Sequence, residues 1–292
     1  MRLLRLLRPL TATVFGLVVL MAGCTNPPSQ SGTADAAVDP PDAGAGVDAG
    51  QGADAGPDVR TGFITMSSNR MPPQARISAT FLEGGPAYRC PAQQSGPCAF
   101  LQCERRTPLD PLPLPTSGTV SITGGSTPVT LVPDGDGFYD VEILTQALWM
   151  DGDVLTVAGS GGDVLAFQDT VAVPARLALT APAIPSGVWM LPRANDVVFS
   201  WTGATTEEVV IILGTLATND PTEVECRFPG SAGTGAVPAA ALALLPSGQG
   251  YFSVAGSVQK RLAVGDWSVT LRAESDAVLP GNGLAYGELD LQ

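Results

Sequence analysis

From about residue 61 to the end, apolar residues recur at every second position, and glycine or proline interrupts each run before it reaches helical length. A pleated strand sends successive side chains to opposite faces, so this period suits half-buried strands. Ile77, Ala79 and Phe81 share one face, with Arg76, Ser78 and Thr80 on the other. Val120 and Ile122 alternate with Thr119, Ser121 and Thr123; Gly124-Gly125-Ser126 then turns the chain, and Val129 with Leu131 begins the return of a hairpin. A second hairpin is predicted from Val154 to Val157, through Gly159-Ser160-Gly161-Gly162, to Val164 and Phe167. Further on, Val197, Phe199 and Trp201 form one alternating set, as do Val224, Cys226 and Phe228 against Glu223, Glu225 and Arg227, and Trp267, Val269 and Leu271 against Ser268, Thr270 and Arg272. Val209 to Leu213 is apolar on both faces and predicts a central strand. The one helical expectation is a turn over Pro238 to Leu245, with Pro238 at its first position. The expected class is all-β, with two immunoglobulin-like β-sandwich domains over 61–175 and 176–292. Trp201 suits the buried aromatic of such a domain, but Cys226 has no partner cysteine within its own half.

Ahead of the strands the chain is of another kind. Arg2, Arg5 and Arg8 precede a mainly apolar run from Leu10 to Ala22, which ends in Met21-Ala22-Gly23-Cys24. Basic residues, an apolar run of export length and small residues before a cut are the parts of a secretory signal over 1–23. The run is too short to span a bilayer, which takes about 20 residues. The cysteine set directly behind Ala-Gly resembles the lipobox of bacterial lipoproteins, with Met21 where leucine usually stands. The resemblance implies that Cys24 is diacylated at sulfur and acylated at its new amino terminus, which would anchor the protein without a transmembrane helix. One acyl chain gives only reversible attachment at roughly 0.8 kcal/mol per buried methylene, whereas two or three chains hold firmly. Thr25 behind the cysteine, in place of aspartate, goes in such proteins with sorting to the outer membrane.

Residues 24–60 show no hydrophobic period. Asp-Ala-Gly recurs at Asp42, Asp48 and Asp54 among alanine, glycine, proline and more aspartate. Such a segment cannot bury enough apolar surface to offset its ordering entropy, so it is expected to stay disordered and act as a spacer. A lipobox followed by an Asp/Ala/Gly/Pro-rich tether resembles the surface lipoproteins of myxobacteria. The implied location is the cell envelope, at the outer membrane.

Charge narrows the partners. The full chain carries −13, and loss of residues 1–23 removes three arginines and no acid, leaving −16. No basic stripe is available to neutralise phosphates, so nucleic acid is not expected as a partner, nor are anionic head groups. Membrane contact would come through the covalent lipid, and other partners would be an envelope protein or a polysaccharide. The last would use Trp149 or Trp189 as a stacking surface, if these are not packed in a core.

Four cysteines remain beyond Cys24: Cys90, Cys98, Cys103 and Cys226. In an exported protein they suggest disulfides, and four permit three pairings. Cys90 is expected to pair with Cys98 or Cys103; on a strand, Cys98 and Cys103 would fall on opposite faces, and whether one of the three reaches Cys226 is open. No Cys-x-x-Cys knuckle is present for zinc. Asp134, Asp136 and Asp140 resemble the opening of an EF-hand loop and are a weak calcium candidate, with an Asp-Gly turn between Val132 and Val141 as the plainer reading. The chain has no histidine, which removes Ser-His-Asp and Cys-His catalysis. Ser257-Val-Gln-Lys260 matches a Ser-x-x-Lys pattern only formally, and no glycine-rich phosphate loop occurs. A carboxylate-based hydrolase would need two acids converging in a cleft. The expected function is a non-enzymatic interaction or structural head, without a cofactor.

Overall fold

The computed structural model describes residues 60–70, 73–83, 88–89, 92–102, 104–105, 113–143, 146–203, 207–215, 222–281 and 283–292. The expected export segment, Cys24, the expected tether up to residue 59, Cys90 and Cys103 lie outside these.

Among the described residues the fold is all-β. The first strands are β1 (Arg60–Arg70), β2 (Pro73–Leu82), β3 (Tyr88–Arg89), β4 (Ala92–Ser95), β5 (Cys98–Gln102) and β6 (Glu104–Arg105). Then come β7 (Val120–Thr123), β8 (Val129–Leu131), β9 (Tyr139–Ile143), β10 (Val154–Gly159) and β11 (Phe167–Ala172). The remainder contributes β12 (Ala178–Ala181), β13 (Trp189–Leu191), β14 (Val197–Thr202), β15 (Glu208–Thr215), β16 (Thr222–Pro229) and β17 (Thr234–Val237). A short helix α1 (Ala239–Leu242) leads to β18 (Gly248–Val264), β19 (Trp267–Asp276) and β20 (Tyr286–Leu291). Pro238 caps α1 as the residue before it, one place earlier than expected.

One sheet carries the whole architecture. Its path runs β4-β5-β16-β15-β18-β19-β1-β2-β9, with β20 beside the first part of β18 and β13 beside β20. Two smaller sheets, β11-β10-β7-β8 and β12-β14-β17, supply opposing layers. Core membership follows from the alternation. Ile64, Met66, Ile77, Ala79 and Phe81 meet Val120, Ile122, Leu155 and Val157 in a first core. Val209, Ile211, Leu213, Val224 and Cys226 meet Leu179, Val197, Phe199 and Trp201 in a second. Two β-sandwiches therefore share one sheet.

β18 is long enough to serve both. Phe252 and Val254 belong to the second core, while Val258, Leu262 and Val264, on the same face of the strand, belong to the first. Its hairpin partner β19 continues the first core with Trp267, Val269, Leu271 and Ala273, and β1 adds in parallel, Arg60 opposite Trp267 through Ser67 opposite Glu274. In the other direction, β5 from the first stretch of sequence adds to β16 and brings Cys98 into the second core. Each core thus takes a strand from the other's stretch of chain. The expected β7–β8 hairpin is present, Ile122 opposite Val129. The second hairpin returns at Phe167 rather than Val164: Val164 is buried in the connection, where its N–H donates to the Thr116 carbonyl at 3.0 Å.

Several glycines in these strands face an aromatic ring. Gly62 is opposite Phe81, and a Cβ there would fall 2.6 Å from that ring. Gly214 is opposite Tyr251, where a Cβ would fall 2.3 Å from Cζ. A strand interior ordinarily disfavours glycine; here its missing side chain is the space in which a neighbouring ring lies flat.

Candidate functional site

The chemistry-bearing residues of the described fold gather on β16 and its neighbours. Strand alternation sends Val224, Cys226 and Phe228 into the second core and Glu223, Glu225 and Arg227 to the opposite face of the sheet. On the core side, Cys226 stands directly opposite Cys98 of β5, and the two form a disulfide spanning 128 residues. This settles which of the earlier cysteines reaches Cys226, and it overturns the expected alternative in which Cys90 takes Cys98. The bond joins neighbouring strands of one sheet and not the two layers of a sandwich, so it differs from an antibody-type bridge.

The opposite face is not the solvated surface that alternation suggests. Glu223 is only 2% exposed and Glu225 9%. Tyr251 lies across Gly214 on the intervening strand and donates its hydroxyl hydrogen to Glu223 Oε1. Burial raises the Glu223 carboxyl to a pKa of about 7, against the pull of the Tyr251 hydrogen bond, and burial likewise raises the Tyr251 phenol. Two residues on, Arg227 donates from Nε to Glu225 Oε1 at 2.6 Å and from Nη1 to Glu208 Oε2 at 2.7 Å. Burial alone would lower the Arg227 pKa, but the charges of Glu225 and Glu208 outweigh it and the guanidinium stays protonated. The row therefore holds one carboxyl that changes charge near neutrality and one ion-paired triad. Glu223 and Glu225 each have a partner of their own, Tyr251 and Arg227. Farther along the same face Arg272 is 4% exposed, ion-paired to Glu274 at 2.5 Å, with its Nε donating to Ser257 Oγ at 3.3 Å. Ser257 is thus tied to Arg272 on a long strand, not set at a helix start near Lys260, whose Nζ pairs with Asp169 at 2.5 Å.

The acidic turn is self-contained. Asp134 Oδ1 accepts from the N–H groups of Asp136 and Phe138, both at 2.9 Å, which is an Asx-type turn. Asp140 sits on β9 and faces Arg76 of β2 at 3.5 Å. Of the three aspartates proposed from sequence for calcium, Asp134 is used within its own turn and Asp140 faces Arg76, and no group of three or more acidic, cysteine or histidine side chains with metal-binding geometry occurs among the described residues. Trp149 and Trp189 are 3% and 8% exposed and pack in the first and second core respectively, which is the expected alternative to a stacking surface.

No protein-family model matches the chain, and no curated protein does. Among solved structures, a two-domain fibronectin type III segment from chicken tenascin covers 69% of this chain and 97% of its own length, at 10% identity and a TM-score of 0.21. A segment of a 1.5-MDa bacterial ice-binding adhesin, described for retention at the host cell surface, covers 80% and 66% at 12% identity and TM-score 0.18. A tandem of immunoglobulin domains from titin covers 76% and 95% at 8% identity and TM-score 0.16. Scores this low mean that the chains do not superpose as wholes.

Proposed function

We propose that this protein is a lipid-anchored envelope lipoprotein whose paired β-sandwiches form a non-enzymatic interaction or structural head. The observation that carries the reading is the Cys98–Cys226 disulfide within a buried core, in a chain whose first 24 residues have the parts of an export and acylation signal. Disulfides of this kind form in oxidising compartments outside the cytoplasm. The histidine-free composition supports a role that needs no general base near neutral pH. The tether over 24–60 would hold the head off the membrane, and the outer membrane is the proposed site, with an envelope protein as the proposed partner.

The test is the fate of Cys24. In the exported full chain, Cys24→Ser should abolish incorporation of labelled palmitate, move the protein from the membrane pellet to the supernatant and shift it from the detergent to the aqueous phase. Unchanged sedimentation and partition would overturn the reading. A pull-down with residues 60–292 from envelope extract then asks for the partner.

A further inference from the structure

The two smaller sheets differ in kind from the large sheet they cover. Across their strands β7, β8, β10, β11, β12, β14 and β17, Asp169 is the one charged residue. It shares the core side of β11 with Phe167 and Val171, and it is taken up by Lys260 of β18. The outward positions are threonine, serine, alanine, valine and glutamine, without a single charge. Thr170, Thr156 and Thr123 stand in one row across β11, β10 and β7. On the other small sheet, the hydroxyls of Thr180 and Thr234 donate to the carbonyls of Ser200 and Phe199 at 3.1 and 2.9 Å. The far face of the large sheet is the reverse: β16 alone sends Glu223, Glu225 and Arg227 to it.

Each uncharged face also carries an exposed valine beside an alanine. Val154 is 56% exposed and stands opposite Ala172; Val198 is 51% exposed and stands opposite Ala236. A cover over such a face removes apolar surface from water, and threonine hydroxyls already spent on carbonyls of their own sheet lose no hydrogen bond beneath it. The two faces belong to one side of the head, because Phe252 and Val254 serve the second core from the same face of β18 that gives Val258 and Leu262 to the first. With strands about 4.8 Å apart and about 3.3 Å per residue, the two faces together offer roughly 500 Å². A standard interface takes about 800 Å² from each partner, so this area suits a weak, reversible contact.

We propose that a second copy of this chain seats on these two faces, in a weak dimer. Charge selects the occupant. The chain carries −13, and copies of an acidic protein repel each other wherever their carboxylates meet. The outward faces of the small sheets are where two copies can touch without bringing like charges together. A basic partner would be drawn instead to the acidic surfaces elsewhere. Dimerisation of this kind does not depend on Cys24, since it uses only the folded strands.

The experiment is sedimentation equilibrium of the full chain as its Cys24→Ser form, so that no acyl chain can drive association, at concentrations that reach the millimolar range. A monomer–dimer equilibrium is expected. Salt should strengthen it, because raising ionic strength from about 0.01 M to about 0.15 M shortens the reach of repulsion from about 30 Å to about 8 Å. Val154→Asp and Val198→Asp should each weaken the dimer at least about tenfold by covering a carboxylate that has no partner. Leu165→Asp, at a position 61% exposed in the connection between β10 and β11, should leave it unchanged. A monomer at every concentration, a dimer that salt dissolves, or a dimer indifferent to both valine substitutions would overturn the proposal. If the variants do not fold, hydroxyl-radical labelling of the chain without them decides. Labelling of Val154 and Val198 should fall as concentration rises, and labelling that stays level refutes the contact.

Discussion

The core around Phe81 and the core around Cys226 lie on the same side of one sheet, yet they are closed by different means. In the first, Phe81 meets Tyr139 and Trp267 edge to face at 6.0 and 6.1 Å. The Tyr139 hydroxyl donates to the Gly118 carbonyl at 2.7 Å and accepts from the Ser117 N–H at 3.0 Å. Apart from β18 and β19, its strands come from one stretch of chain. In the second, Trp189 lies between Phe199 and Phe252 at 6.1 and 5.3 Å, and a covalent bond is added. That bond ties in β5, a strand recruited from 128 residues away. Closing a loop of that length costs entropy that local hairpins avoid. The lesson is that the cystine fixes one long-range strand pairing, whereas the parallel pairing of β1 with β19, which sets Arg60 opposite Trp267 across a still longer stretch of chain, is held by the ladder and by packing.

Each core carries two tryptophans, Trp149 and Trp267 in the first and Trp189 and Trp201 in the second, so each can be followed by fluorescence after its counterpart's pair is replaced by phenylalanine. The largest effect is expected from removing the cystine. Replacing Cys98 and Cys226 together by alanine should cost about 5 kcal/mol on the chain-entropy view of a loop this long, read as a fall in the urea midpoint. Because β18 belongs to both sandwiches, both pairs of tryptophans should report the same shifted transition. Separate midpoints would break the comparison by showing two independent units. Phe81→Ala should cost about 3–5 kcal/mol through the cavity it leaves among Tyr139 and Trp267, and it too should move both reporters.

A smaller effect of opposite sign is expected at Glu223. Its carboxyl titrates near 7 in the fold and near 4.5 in an unfolded chain, so the folded state holds the proton more tightly. Its contribution is fully present below about pH 4.5, falls as pH rises through 7 and is level beyond. Glu223→Gln should therefore raise stability by about 3 kcal/mol above pH 7, and by little below pH 4.5. Urea midpoints of the two proteins at pH 4 and pH 8 check this. An equal difference at both pH values would show that the side chain's charge plays no part.

Much of the fold was legible in the alternation. Ile77, Ala79 and Phe81, Val197, Phe199 and Trp201, and Val209 to Leu213 all point where period two sends them. A local pattern has no term for the partner, however. Nothing in Cys98-Ala-Phe-Leu-Gln102 announces β16, and nothing in Trp267, Val269 and Leu271 announces that they pack with Ile64 and Ile77 instead of their own half. The Glu223, Glu225 and Arg227 row was misleading for a related reason. Alternation says that a residue faces away from a core, but it does not say that the residue is exposed, and here Glu223 and Glu225 are buried. The Asp134 turn, by contrast, needed nothing beyond its own five residues.

The geometry of β18 has a mechanical consequence. The first described strand begins at Arg60, beside Trp267 and hence at the Val264 end of β18, whereas β20 ends beside Gly248 at the other end. Sixteen strand steps separate those ends, roughly 50 Å at 3.3 Å per residue. If residues 24–60 are the membrane-side tether proposed above, a pull between it and anything gripping the far end would run nearly parallel to the strands. Such loading shears many rungs at once, whereas a perpendicular pull would unzip them singly, so the shared sheet makes the head a strut.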